Sequence, residues 1–159
     1  MRKKLPRRMY RNGRPIDDKF EAVHKLYIRI DGECFQQGEI LDAGIRIADQ
    51  SVNWSKYSLP WDILFGHSDC GVGGFVVRDI PTPVPQDRKD WPRDPKFSPY
   101  EYVPKHIPEN DNYGHCEIQA TRQGVVSKEE KIRADIVKKQ FRSKLKRSIN
   151  ILLAPKEAS

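Results

Sequence analysis

No stretch of this chain approaches the roughly 18 consecutive apolar residues of a membrane span, and its basic N-terminus lacks the apolar run of about 7 to 15 residues of a signal peptide. These absences predict a soluble protein, peripheral to a membrane at most. Cysteine is equally sparse. Cys34, Cys70 and Cys116 form no CxxC pair, and an odd count fits poorly with a secreted disulfide framework, so a reducing cytoplasm is the expected compartment. The glycine-rich GHSDCGVGG at 66–74 has neither the lysine of a P-loop nor the GxGxxG order, which makes a phosphate cradle a weak reading and a turn needing positive φ the better one. No DNA- or RNA-reading motif is present, so base-specific recognition is unsupported. A hydrophobic fraction of 37% and a mean hydropathy of −0.75 leave little to bury. Much of the chain is expected to be arm or loop around a small core.

What is present is charge, unevenly placed. Residues 1–15 carry seven Arg and Lys and no acid, residues 128–147 net +6, and residues 16–127 net −6. An acidic body between two basic ends suits a polyanionic partner, nucleic acid or an acidic protein, gripped by Arg2, Lys3, Lys4, Arg7, Arg8 and Arg11 of the arm. Lys138, Lys139, Arg142, Lys146 and Arg147 would grip it from the other end. The same pattern suits neutralisation of the body by its own ends, within one molecule or across a homodimer or larger complex. With 159 residues the chain has room for one domain, 16–159, preceded by a disordered basic arm, 1–15.

Along that domain, Asp17 or Asp18 is placed to cap a short helical turn that sets Phe20 and Val23 on one side. KLYIRID at 25–31 alternates as a half-buried strand, and 39–48, broken by Gly44, is expected to pair with it as a long hairpin. Trp54, Tyr57, Trp61 and Phe65 recur at near-helical spacing, with a short helix over 60–65; they read as core, with a base-stacking platform as the alternative. A further strand is expected over 74–80. Residues 81–108 hold eight of the twelve prolines, which no helix or interior strand tolerates, so they form a long loop or flap. Ser127 and Glu130 make a capping box, and Ile132, Ile136, Val137, Phe141, Leu145 and Ile149 an apolar stripe, predicting a basic amphipathic helix over 128–152.

The richest chemistry lies in PENDNYGHCEIQATRQG, 108–124. In a strand over 114–121, His115 and Glu117 share one face, while Cys116 and Ile118 share the other. Zinc is a weak reading: His67, Cys70, His115 and Cys116 have suitable composition, but neighbours on a strand face apart. No metal or cofactor is expected. If Arg29, Ser51 or Ser55, His115 and Glu117 converge, an arginine for a phosphate, a serine for a sugar and a glutamate for developing positive charge follow the logic of ADP-ribosyl transfer. Arg, His and Glu also suit phosphodiester cleavage. Otherwise Arg29 and Glu117 are a cross-strand surface pair.

SVNWSKYS at 51–58, GVGGFVVRDIP at 71–81 and HIPENDNYGH at 106–115 together resemble a class of short uncharacterised bacterial proteins with SV, GV-x-x-F and NDNYxH-like segments. The resemblance spans roughly 25–120 and implies a bacterial, cytoplasmic setting, with no activity attached.

The expected fold is α+β: a small, mainly antiparallel sheet packed against one long C-terminal helix, because runs of strands precede that helix. The expected function is a non-catalytic accessory protein that engages nucleic acid or an acidic partner. The alternative is a small enzyme centred on His115 and Glu117.

Overall fold

The computed structural model describes residues 16–17, 19–46, 49–64, 66–81, 101–109, 112–122, 125–126 and 135–156; for 101, 122, 125–126 and 135–140 it describes the backbone alone. The fold is α+β. Strands β1 (Lys25–Ile30), β4 (Asp49–Trp54), β5 (Gly71–Val76), β6 (Glu101–His106), β7 (His115–Arg122) and β9 (Asn150–Leu153) form an antiparallel sheet in the order β6-β7-β4-β1-β5-β9. A short β8 (Val125–Val126) pairs with β7, and β2 (Phe35–Gln36) with β3 (Glu39–Ile40) makes a separate ribbon. One helix, α1 (Asp135–Ser148), is described. Among the described residues, no helix is long and apolar enough to cross a membrane.

The core follows from the alternation of β1, β4 and β7. Leu26, Ile28 and Ile30, Val52 and Trp54, and Cys116, Ile118 and Ala120 all point to one face, where Phe75, Phe141, Leu145 and Ile149 close over them. Phe141 and Leu145 stand one turn apart on α1, so both reach the sheet. Tyr102 stacks on Phe141 at 4.0 Å. Trp54 gathers Phe20, Tyr57 and His106 around its ring, which ties the start of the described chain to the sheet.

Several expectations are corrected. The partners of 25–30 are β4 and β5, not 39–48; Ile40 is buried from β3 and Ile45 from the segment after it, because Gly38 at φ +78 turns the chain back at once into the β2–β3 ribbon. Of the aromatics expected in the core, Trp54 is fully buried at the end of β4, Trp61 is 58% exposed, and Phe65 lies outside the described residues. Over 60–65 the helix is a 3-10 turn, Pro60–Leu64. Val23 is exposed and shares no side with Phe20; Asp17 accepts from the Lys19 N–H in a local turn instead of capping a helix.

The glycines of 71–74 do not make a turn. They lie inside β5, where a Cβ on Gly73 would come within 2.5 Å of Ile149, and one on Gly71 would strike the Leu153 carbonyl. Their role is close approach of β9 and the end of α1. Gly66, at φ +80, is the one in that run that needs its conformational freedom. The strand is therefore 71–76, and Val77–Asp79 is a 3-10 turn.

Within 81–108, residues 101–106 form β6, the edge strand of the sheet among the described residues, and an edge is where a strand tolerates a proline such as Pro104. The rest of the proline-rich segment, 82–100, lies outside the described residues, as do the arm 1–15 and the capping box at Ser127. Helix α1 ends at Ser148 and not at 152. Ser148 Oγ turns back to the Lys144 carbonyl, Asn150 is a poor helix former, and Ile151–Leu153 find the free edge of β5.

Candidate active site

The opposite face of the sheet is apolar around Tyr27, Ile63 and Val72 and polar along β4. Asp49, Ser51 and Asn53 alternate with the inward Gln50, Val52 and Trp54, so β4 carries a row of hydrogen-bonding groups away from the core. Asn53 stands opposite both Tyr27 and His115, and Ser51 opposite Glu117. Above β4 lies an open cleft of about 420 Å³, with Ser51, Asn53 and His115 at the sheet, Ala43, Gly44 and Arg46 on one side and Glu109 and Asn112 on another.

His115 is delivered by the turn between β6 and β7, where Glu109 and Asn112 exchange backbone hydrogen bonds and the His115 N–H donates to the Asn112 carbonyl. Gly114 makes room there, since a Cβ would meet Ser58 Oγ and force that hydroxyl to turn away. The imidazole is buried and bound at both nitrogens. Nδ1 lies 2.8 Å from the Ile107 carbonyl, which only accepts, so Nδ1 carries the hydrogen. In the neutral ring, Nε2 then presents its lone pair to Ser51 Oγ at 3.3 Å. Glu109 Oε1 stands 3.6 Å from the same nitrogen. Once Nε2 takes up a proton, that carboxylate faces an imidazolium. The Ile107 carbonyl thus fixes the tautomer whose Nε2 can accept, and Glu109 stands beside the charge that acceptance creates.

Asn53 is 1% exposed. Its Oδ1 accepts from Asn112 Nδ2 at 2.7 Å, which orients the amide, while its Nδ2 has no hydrogen-bond partner among the described residues. Arg29 and Arg46 line the cleft and engage Asp31 and Asp49 through Nε, at 3.3 and 3.2 Å. Cys34 lines it as well, and Cys70 donates to Asp31 at 3.3 Å. Burial, reinforced by the Asp31 carboxylate, pushes both thiols above their ordinary pKa, which keeps them from being thiolate nucleophiles.

Of the residues singled out in the sequence, Arg29, Ser51 and His115 line one cleft. Glu117 does not line it. It sits across from Ser51 and accepts from Gln119 Nε2 at 3.4 Å. Arg29 and Glu117 are not cross-strand neighbours either, because β4 lies between their strands. Ser55 falls beyond the end of β4 and outside the cleft lining. His115 and Cys116 point to opposite faces, and among the described residues no group of three or more His, Cys, Asp or Glu is placed to hold a metal.

No family model, curated protein or solved structure matches this chain. The cleft must therefore be read from its own geometry.

The basic residues divide. On α1, Arg142 Nε donates to the Ile45 carbonyl at 3.1 Å and Lys146 pairs with Asp42 at 3.3 Å, so both face the body of the protein. Arg147 is exposed. Lys138 and Lys139 lie in α1, with side chains outside the described residues, and Arg2, Lys3, Lys4, Arg7, Arg8 and Arg11 lie outside them altogether. Sequence reasoning missed Asn53, Glu109 and Arg46. Asn53 was within reach, being two residues from Ser51 on the same strand; Glu109 takes the place beside His115 that the sequence assigned to Glu117.

Proposed function

We propose that the protein is a small hydrolase or transferase in which Ser51 attacks the substrate and His115 takes its proton. One observation carries the reading: the Ile107 carbonyl fixes the hydrogen on Nδ1 and leaves Nε2 as the acceptor beside Ser51 Oγ. Arg29 and Arg46 pair with aspartates through Nε, and both are exposed enough at the rim to hold a charged part of the substrate. The ADP-ribosyl-transfer version, built on Glu117, loses its glutamate from the cleft.

The test is covalent labelling of the full chain with a fluorophosphonate probe. Mass spectrometry should place the adduct on Ser51, and His115→Gln should slow labelling by about 10² to 10⁴-fold, the usual contribution of a general base. An unlabelled Ser51 in the wild-type protein overturns the reading.

The second reading is a non-catalytic partner of nucleic acid or an acidic protein. The uneven charge and the exposed Lys144 and Arg147 support it. Arg142 and Lys146 do not, since they serve Ile45 and Asp42. Retention on heparin that collapses between low and physiological salt is the expected behaviour, and salt-independent retention counts against it.

A further inference from the structure

We infer that Asn53 supplies the hydrogen bond that stabilises the oxyanion of the reaction, and that the bond attacked is the carbonyl of a carboxylic ester. The inference rests on the reading of Ser51 and His115 as nucleophile and base.

An unpaired amide N–H in a protein interior is costly, so buried side-chain amides are nearly always satisfied. Asn53 Nδ2 is the exception at this face of the sheet, and it is no accident of a loose side chain. The Asn112 bond holds Oδ1 and so fixes where Nδ2 points, and the strand places Asn53 between Tyr27 and His115. Ser51 lies two residues away on the same side of β4, about 7 Å along the strand. Nucleophile, base and one oriented, unspent donor therefore share a few ångströms of sheet. Nδ2 is closed to water and Asn53 lines the floor of the cleft, so the proposal requires a partner atom that a bound substrate seats against that floor. An acyl oxygen is such an atom, and it gains charge as Ser51 attacks.

Charge distribution selects the acyl group over a phosphoryl group. A phosphoryl in transfer spreads charge over three oxygens and is normally clamped by cations. Here Ser51, Asn53 and Asn112 are all neutral. The cations, Arg29 and Arg46, are paired to Asp31 and Asp49 and well exposed at the rim. One neutral donor suits one developing oxyanion. Ala43 and Ile63, also lining the cleft, give the acyl chain an apolar wall.

In this reaction Ser51 Oγ bonds to the acyl carbon as its proton passes to His115 Nε2. The ester C–O bond breaks and the alcohol leaves with that proton. Water then adds its oxygen to the acyl carbon and gives one proton to Nε2; as the acyl–Oγ bond breaks, that proton returns to Ser51 and the carboxylic acid departs.

The experiment uses p-nitrophenyl acetate, bis(p-nitrophenyl) phosphate and the fluorophosphonate probe. Wild-type protein should release p-nitrophenolate from the ester in a burst and carry an acetyl group on Ser51, with the phosphodiester turned over far more slowly. Asn53→Ala and Asn53→Asp should lower kcat, and the maximal rate of labelling, by about 10²-fold or more with little change in KM, as loss of an oxyanion donor does. The Asp variant keeps the shape and the Asn112 bond but replaces the donor with a carboxylate oxygen, whose charge opposes the oxyanion as well, whereas the Ala variant removes the donor without adding charge. If the wild-type protein is labelled at Ser51 but a folded Asn53 variant reacts at the same rate, the role of Asn53 is overturned while the nucleophile stands. Preference for the phosphodiester overturns the ester. Should neither variant fold, the unmodified protein decides: a thionoester, whose sulfur accepts hydrogen bonds poorly, must be disfavoured more strongly than in solution, and an equal ratio overturns the donor.

Discussion

Asp17 and Tyr57 meet across a hydrogen bond of 2.5 Å, and Lys56 reaches the same carboxylate at 2.6 Å, so the beginning of the described chain is fastened to the turn after β4. Burial alone would push the Asp17 carboxyl up, but the hydrogen bonds from Lys56, Tyr57 and the Lys19 N–H outweigh it and bring the pKa down to about 2. A carboxyl lowered on folding contributes stability above its unfolded pKa and loses it as pH falls through the folded value. The contribution should be about 1 to 2 kcal/mol after discounting for the half-exposed Lys56, and it should disappear between roughly pH 4 and pH 2. Urea unfolding across that range should show the loss in the wild type and a flatter profile in Asp17→Asn.

The same contact has an alkaline side. Burial first, then the Asp17 carboxylate, push the Tyr57 phenol up to about 12. A pKa raised on folding contributes stability below the unfolded value of 10 that is lost as pH rises through 12. Tyr57→Phe should remove that part of the alkaline decline, seen as a smaller drop in melting temperature over the same range.

Gly73→Ala should destabilise the fold, because the new methyl would lie 2.5 Å from Ile149 and 3.1 Å from Ile28. Overpacking of this kind costs about 1 to 3 kcal/mol. Shortening the obstacle tests the cause: Ile149→Ala in the Gly73→Ala background should recover part of the loss, and strictly additive losses would place the strain elsewhere.

Phe141→Ala and Leu145→Ala remove side chains that close the core, at a cost of about 2 to 5 kcal/mol each. The cations of the same helix should separate into two behaviours. Arg142→Gln and Lys146→Gln give up contacts with Ile45 and Asp42 and should lower stability, Arg142 more because its partner is a half-buried carbonyl. Lys144→Ser with Arg147→Ser should leave the melt unchanged, within about 0.5 kcal/mol. If only this second pair weakens heparin retention, those two exposed cations are what a polyanion touches.

Much of the sheet was legible where one face is apolar. β1 announces itself through Leu26, Ile28 and Ile30, and β7 through the alternation that sets His115 apart from Cys116. β4 was hidden by its own chemistry. Asp49, Ser51 and Asn53 are loop-forming types, and they stand on a strand because Val52 and Trp54 on its other side are fully buried. Residues that equip a strand for a cleft thus disguise it as a loop. β6 was obscured by Pro104 and β9 by the helical stripe that runs into it. Each needs a tertiary fact, an outer edge or a glycine-lined neighbour, that no local pattern holds. The convergence of Arg29, Ser51 and His115 depended on strand order in the same way; Glu109 in place of Glu117 depended on how one turn folds back.

The pairing of β9 with β5 joins the most distant stretches of sequence of any strand pair described. Until Asn150–Leu153 arrive, the ladder groups along Gly71–Val76 have no partner on that side, and a glycine-rich strand offers little side-chain bulk to shield them. During synthesis the rest of the sheet can assemble from nearer segments while this edge waits for almost the last described residues to be made. Until they dock, another strand can add to the sheet in place of β9, so slower docking of Asn150–Leu153 should leave more newly made protein open to aggregation.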